Sequence, residues 1–427
     1  MRSTNPSFVR SSSESSVDSF ESDVRSLFAR LRSGLRALMD AVNADVTRPQ
    51  EISRQFGLNK NLTWKISKIL SDDSPEAVVR HLPGRPGLAI LMRTLEKAGA
   101  PASERVAFER AVDEYDAFIR DHAGDRDTLG VMVASFGGPQ LQREEDSRRL
   151  SFQGNSATWG VQARLQLSVN LVLPSRQTGR MDIVVVSALV DFRRLRADVV
   201  WPIAVVRSAS DSGSPLVAQA EPLDSSVVPG EAPLMHRFSS LPASMLRAAP
   251  GASGSRRYEL RPGSVGRMSV VTCVVGRVNR GIVSPWKTET DEWGEHFVSL
   301  NTPAELLIHE IWMHRDLPLA RPPASALPTA HVYGQLPGVP AYPSDARDQG
   351  LLPISATCQS VETLGADSLP EFPQYSELIE AACVAVGCHA GEFSGVRLRL
   401  PYPPMPALAV IRYPLADAPS PTANPSP

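Results

Sequence analysis

Five lysines occur in 427 residues, and three of them, Lys60, Lys65 and Lys68, fall within nine positions. Cations at that density suit phosphate. Asn61, Trp64 and Ser67 are interleaved with them. Residues 48–97 hold nine basic and five acidic side chains, a balance of +4 in a chain whose total is −2. Other chemistry-bearing groupings fail on spacing. His309-Glu310-Ile311-Trp312-Met313-His314 is one residue too long for a zinc-protease motif, whose histidines stand four apart on one helical face. Thr302, Pro303 and Glu305 have capping-box spacing and predict a helix through this stretch. On it Glu305/His309 and Glu310/His314 are ordinary pairs, and an alternating strand through Leu306, Ile308 and Met313 is the other option. Cys383, Cys388 and His389 lack zinc-site spacing, with both thiols expected around a helix over 376–386. Cys273 falls in an apolar strand, where it is expected to be buried and inert. Glu289, Asp291, Glu292 and Glu295 surround Trp293 and read as a solvated loop. There is no Walker A loop, Gly-x-Gly-x-x-Gly or Gly-x-Ser-x-Gly, so no catalytic residue, cofactor or metal is expected. A Ser/His/Asp triad leaves no spacing signature, and nothing points to one.

The elements that would position the basic segment are helical. Val24, Phe28, Leu31, Leu35, Leu38 and Val42 alternate steps of four and three behind a capping pair, Asp18 and Glu21. That is one apolar helical stripe, expected to pack on its own core or, alternatively, on a second copy. Further helices are expected from 75, over 86–98 and over 104–122, each bounded by Pro or Gly. After about residue 140 the period changes. Odd positions from Val161 to Leu173 are apolar and the even ones, Gln162 to Asn170, polar, as in a strand with one buried and one wet face. The runs 183–190, 199–206, 268–275, 396–400 and 407–413 are further strand candidates. Of 37 prolines, 29 lie after residue 200, which excludes a regular alternation of helices and parallel strands there. The fold class is therefore α+β: an all-α head over 18–125, then a larger, mainly antiparallel β domain over 140–413 with a few helices. Residues 1–17 and 414–427 are expected as disordered tails, and 208–256 as a long mobile loop or linker. Residues 1–17 have no apolar core of a secretory signal, and no run is long enough to span a membrane. Four cysteines are expected as free thiols in the cytoplasm.

Residues 49–70 read PQEISRQFGLNKNLTWKISKIL. Ile52 and Phe56 share a face, Gly57 permits a turn, Leu58 plugs it, and Asn59 can cap a second helix. On that helix Leu62, Ile66, Ile69 and Leu70 fall on one side. Lys60, Asn61, Trp64, Lys65, Ser67 and Lys68 fall on the other. The cadence of Ile52, Ser53, Phe56, Gly57, Leu58 and Ile66 resembles the helix-turn-helix of bacterial transcription regulators. The resemblance covers about 22 residues. It implies that 60–70 is a recognition helix lying in the DNA major groove. Ser53 stands where Ala or Gly is usual and Thr63 where an aliphatic residue usually packs, so Leu62 is expected to take that packing role.

These observations predict a cytoplasmic DNA-binding transcription regulator with a β-rich sensor or assembly body. A homodimer is expected, because paired half-sites need paired heads; the effector is not legible. The alternative is a structural or protein-interaction protein whose head only packs. A hydrolase carried by the body, using His309 or the acidic cluster, is a third class.

Overall fold

The computed structural model describes residues 14–134, 140–206, 220–228, 230–250, 256–289, 292–319, 327–334, 350–361, 364–365 and 369–418. The chain divides into two compact units, Met1–Glu144 and Glu145–Pro427. Among the described residues no helix is long and apolar enough to cross a membrane. The fold class is α+β: helices come first, and a larger region of mixed and antiparallel sheets follows.

The first unit is built from α1 (Glu14–Ala41), α2 (Pro49–Phe56), α3 (Lys60–Ser71), α4 (Pro75–His81), α5 (Arg85–Lys97), α6 (Ala102–Phe118) and α7 (Arg126–Ala134). α1 begins at Glu14, ahead of the expected start at Asp18, so 14–17 belong to a helix rather than a tail. Residues 1–13 lie outside the described ones. The apolar stripe of α1 packs into the unit's own core with Ile52, Ile66, Leu91, Phe108 and Leu129. A π-turn, Ile119–Ala123, follows α6 and ends at Gly124, whose φ of 79° suits glycine. α7 continues the helical region beyond 125, anchored by Leu129 and Val133 at i and i+4. α8 (Gln140–Trp159) extends it further. Its apolar residues are scattered around the helix, which left no periodic signal in the sequence.

The second unit has a seven-stranded sheet in the order β11-β12-β9-β1-β2-β7-β4. These strands are Cys358–Val361, Phe393–Pro401, Ala304–His314, Val161–Pro174, Met181–Arg194, Val271–Val283 and Glu221–Pro222. β1 and β9 are parallel, and the other neighbours antiparallel. One face carries α9 (Tyr375–Val386), whose Leu378, Ile379 and Ala382 meet Leu167, Val169, Val186 and Trp312. The other face meets a three-stranded sheet of β10 (Thr329–Gly334), β13 (Ala407–Pro414) and β8 (Trp293–Leu300), through Leu307, Ile311 and Leu398 against Leu300, Ala409 and Ile411. A second three-stranded sheet, β3 (Trp201–Val206), β6 (Arg256–Leu260) and β5 (Leu246–Pro250), packs with Phe192, Cys273 and Val275.

The polar side of β1 is not a wet face: Ser168 and Asn170 are buried, and Gln166 donates from Nε2 to the Ser299 carbonyl at 2.9 Å. A central strand is covered on both sides, so its polar residues bond neighbouring backbone. The 208–256 segment is not loop throughout. Over 220–250 it contributes Leu234, Met235, Phe238 and Leu241 to the sheet's cores; 207–219 and 251–255 lie outside the described residues. Of the expected C-terminal tail, Ala416 is tied by its backbone N–H to the Pro285 carbonyl at 3.0 Å, and 419–427 lie outside the described residues.

The stretch expected as a helix through His309 and His314 is strand β9. Its neighbours decide this: β-branched and bulky residues fill both faces between β1 and β12. On a strand, residues five apart point to opposite faces. His309 is buried between the sheets, its Nε2 3.2 Å from the His296 carbonyl and its Nδ1 3.4 Å from that of Ser168. His296 in turn meets the Tyr413 hydroxyl at 3.2 Å. Burial pushes His309 down to about 4 and, with the His309 charge adding, His296 down to about 3. Both are neutral in the fold and take up a proton on unfolding. Their contribution is therefore complete above the ordinary histidine value of about 6.5 and is lost as pH falls from there toward the folded values, several kcal/mol in all, on the order of 1.4 kcal/mol per pKa unit. Stability to urea should fall as pH drops below about 6.5, above the carboxylate range; a flat profile down to about pH 5 contradicts this.

Candidate nucleic-acid interface

α2 and α3 are joined by a short turn, Gly57 to Asn59, held by local polar contacts. Pro49 opens α2, and Gly57 closes it in the left-handed region, φ 62°. The Ser53 hydroxyl donates to the Leu58 carbonyl at 2.7 Å, and the Leu58 N–H returns to the Ser53 carbonyl at 3.1 Å. A Ser at this position therefore ties the turn as well as fitting it. Asn59 caps α3, its side-chain oxygen accepting from the Asn61 N–H at 2.8 Å.

The inward face of α3 consists of Thr63, Ile66, Ile69 and Leu70. Leu62 is half-buried and packs against the core as expected, but it does not replace Thr63, which is fully buried. The Thr63 hydroxyl donates to the Lys60 carbonyl at 3.1 Å, so the methyl can face the core without an unpaired polar group. The outward face holds all six residues picked out in the sequence. Lys60, Asn61, Trp64 and Lys68 are exposed, and Lys65 and Ser67 are half-buried.

Two features of this face were not visible in the sequence. Arg32 and Arg36 of α1 cap the carboxyl end of α3: Arg32 Nε donates to the Ile69 carbonyl at 3.2 Å and Arg36 Nη2 to that of Leu70 at 2.7 Å. Their i,i+4 spacing on α1 was the available signal. The second is α4. His81 meets the Trp64 ring edge-on at 5.2 Å between centroids, and Lys68 Nζ lies 5.9 Å from the same ring. Trp64 thus finds a partial cover within its own unit and still exposes 44% of its surface. Burial, then the charges of Arg80, Lys68 and Lys65, hold His81 below its ordinary value, against an opposing pull from Asp72.

The basic residues divide by pairing. Arg48 is engaged by Asp45 and Glu51, and Arg85 by Asp113 and Asp116. Among the described residues, Lys60, Lys65 and Lys68 have no carboxylate partner. Arg54, Arg80, Arg93 and Lys97 are exposed without one as well, and the three lysines are the cations gathered on the outward face of α3.

The second unit offers less. Glu310 is wholly buried and saturated: Trp312 Nε1 and the Tyr375 hydroxyl donate to Oε2 at 2.7 and 2.5 Å, and Arg397 Nε to Oε1 at 2.6 Å. Burial first, and then the Glu310 charge, push the Tyr375 phenol far above its ordinary value. Such a closed network is architecture rather than a reaction centre. Ser226, His236 and Asp224 cluster, but hydroxyl and carboxylate both meet His236 Nδ1, at 3.3 and 3.1 Å. A relay uses both ring nitrogens. Of the acids around Trp293, Glu295 pairs with Arg412 at 2.6 Å inside the β13–β8 ladder, while 290–291 lie outside the described residues. Cys388 Sγ donates to the Cys383 carbonyl at 3.5 Å. Among the described residues, no three His, Cys, Asp or Glu side chains are grouped to hold a metal ion. Burial pushes the Cys273 thiol up to about 12.

No protein-family model matches the chain, and no curated protein matches it in sequence.

Proposed function

We propose that this chain is a DNA-binding transcription regulator that places α3 in the major groove. The observation that carries this reading is the division of α3. One face and the carboxyl end are fixed by the core, Arg32 and Arg36, and the other face presents three lysines without carboxylate partners. Lys60, Lys65 and Lys68 supply phosphate contacts. Asn61 near the helix start, with Ser67, supplies base-edge hydrogen bonding, since the first turns of a recognition helix reach the base edges. Trp64 lies against sugar or a thymine methyl. A homodimer reading paired half-sites, with the β-rich unit in assembly or sensing, completes the proposal. The cytoplasm, where DNA and reduced thiols coexist, is its proposed location.

The test is retention of the full chain on duplex DNA in a mobility-shift assay, with Trp64 as internal reporter. Duplex DNA should shift or quench the emission contributed by Trp64, and Trp64→Phe should remove that component of the signal while keeping the shift. Absence of any shift at low salt overturns the proposal.

A further inference from the structure

The helical unit contains a cleft of about 170 Å³ between α5, α6 and α7, unrelated to the lysine face. An engineered cavity of about 150 Å³ holds benzene, so the space suits a compact organic molecule. One wall is apolar: Leu88, Val112 and Ile119. The π-turn that begins at Ile119 widens the end of α6 at this point.

The polar wall holds Tyr115, Arg126, Arg85 and Asp116. Tyr115 is 2% exposed, and its hydroxyl is buried with no hydrogen-bond partner. Burial pushes that phenol up to about 12, against a weaker pull from Arg126 and with a push from Asp116. It is therefore an O–H donor at any working pH. Arg126 spends its Nε on the Val79 carbonyl at 2.5 Å, and no carboxylate pairs with its guanidinium among the described residues. Gly84 and Arg85, at the amino end of α5, also line the cleft. That 13-residue helix has no side-chain cap and no acid in its first turn, leaving its positive end uncompensated. The one acid on the wall, Asp116, is held by Arg85 Nε at 2.6 Å, and Asp113 by Arg85 Nη2 at 2.6 Å.

An unpaired buried hydroxyl, a guanidinium without a carboxylate and an uncapped helix start converge beside an apolar wall. We propose that this cleft binds a small organic monocarboxylate, with the carboxylate on Tyr115, Arg126 and the start of α5 and the apolar body against Leu88, Val112 and Ile119. Binding here does not require that the protein bind DNA. Arg126 also bonds the Val79 carbonyl of α4, and α4 carries His81 against Trp64, so one hydrogen bond separates an occupant from the element beside the lysine face.

The experiment is calorimetric titration of the full chain, without DNA, using benzoate and hexanoate against benzamide and hexanamide. At least one carboxylate should bind with a Kd in the millimolar range or tighter, and its amide at least about tenfold more weakly. Tyr115→Phe removes the hydroxyl and keeps the ring. It should weaken that carboxylate at least about tenfold while the free protein melts no lower than wild type, because an unsatisfied buried group is gone. Arg126→Gln should weaken it similarly. The proposal is overturned if neither carboxylate binds below about 10 mM, if the amides bind equally well, or if Tyr115→Phe leaves affinity unchanged.

Discussion

Reversing Lys60, Lys65 and Lys68 together to Glu should lower affinity for duplex DNA by at least about 10³, with the helical content of the protein unchanged. Hydrogen bonds to charged groups contribute about 1.5–3 kcal/mol each. Three at the lower value amount to roughly 4.5 kcal/mol, or about three decades, before the repulsion of three new anions is added. The fold should tolerate the change, because Lys60 and Lys68 are exposed, Lys65 is half-buried, and none has a carboxylate partner among the described residues. Surface substitutions of that kind usually stay within about 0.5 kcal/mol. At Lys60 an acid even favours the positive start of α3, while at Lys68, in the last turn, it opposes the dipole. Circular dichroism and a fluorescence-anisotropy titration, run side by side, check both halves. An unaltered affinity would mean that DNA is met elsewhere or not at all.

The second large effect lies in the other unit. Glu310→Ala should destabilise it by about 3–5 kcal/mol, because a buried guanidinium loses the Glu310 carboxylate. Arg397 has only 11% of its side chain exposed and pairs with Glu310 at 2.6 Å. The Trp312 indole and the Tyr375 hydroxyl lose their acceptor in the same step. Glu310→Gln retains the shape and one acceptor, so its cost should fall between wild type and Ala. Stable domains have only about 5–15 kcal/mol in total, and the Ala variant should therefore melt roughly 10 °C lower. A melting temperature within about a degree of wild type would show that the network is solvated rather than closed.

What the sequence disclosed about this fold depended on whether a signal was local. Pro49, Gly57 and Asn59 act through their own backbone conformations, and the α2–turn–α3 unit could be read from them directly. The alternation of Val161 to Leu173 likewise identified β1. It could not disclose that both faces of β1 are covered, since α9 arrives from 375–386 and β8 from 293–300. Thr63 was misjudged because the i−3 back-bond to Lys60, which makes a buried threonine acceptable, depends on the residue's environment rather than its type. Glu305/His309 and Glu310/His314 looked like helical pairs only while β1 and β12 were out of view. Arg32 and Arg36 were two of many arginines, and only the packing of α1 turns them into a cap on α3. Residues 220–250 are rich in Ser, Pro and Ala, yet Leu234, Met235, Phe238 and Leu241 reach the sheet's cores. Composition described the backbone there and not the anchors.

The most direct measurement is the salt dependence of duplex-DNA affinity for the full chain, between about 50 and 200 mM, in wild type and in the triple-glutamate variant. Each neutralised phosphate contributes about −0.9 to the slope of log affinity against log salt. Wild type should therefore show a slope of at least about −2.7, and the variant should lose about that amount. Equal slopes in the two proteins, or no wild-type binding at the lowest salt, would contradict a lysine-lined α3 as the DNA-contacting surface.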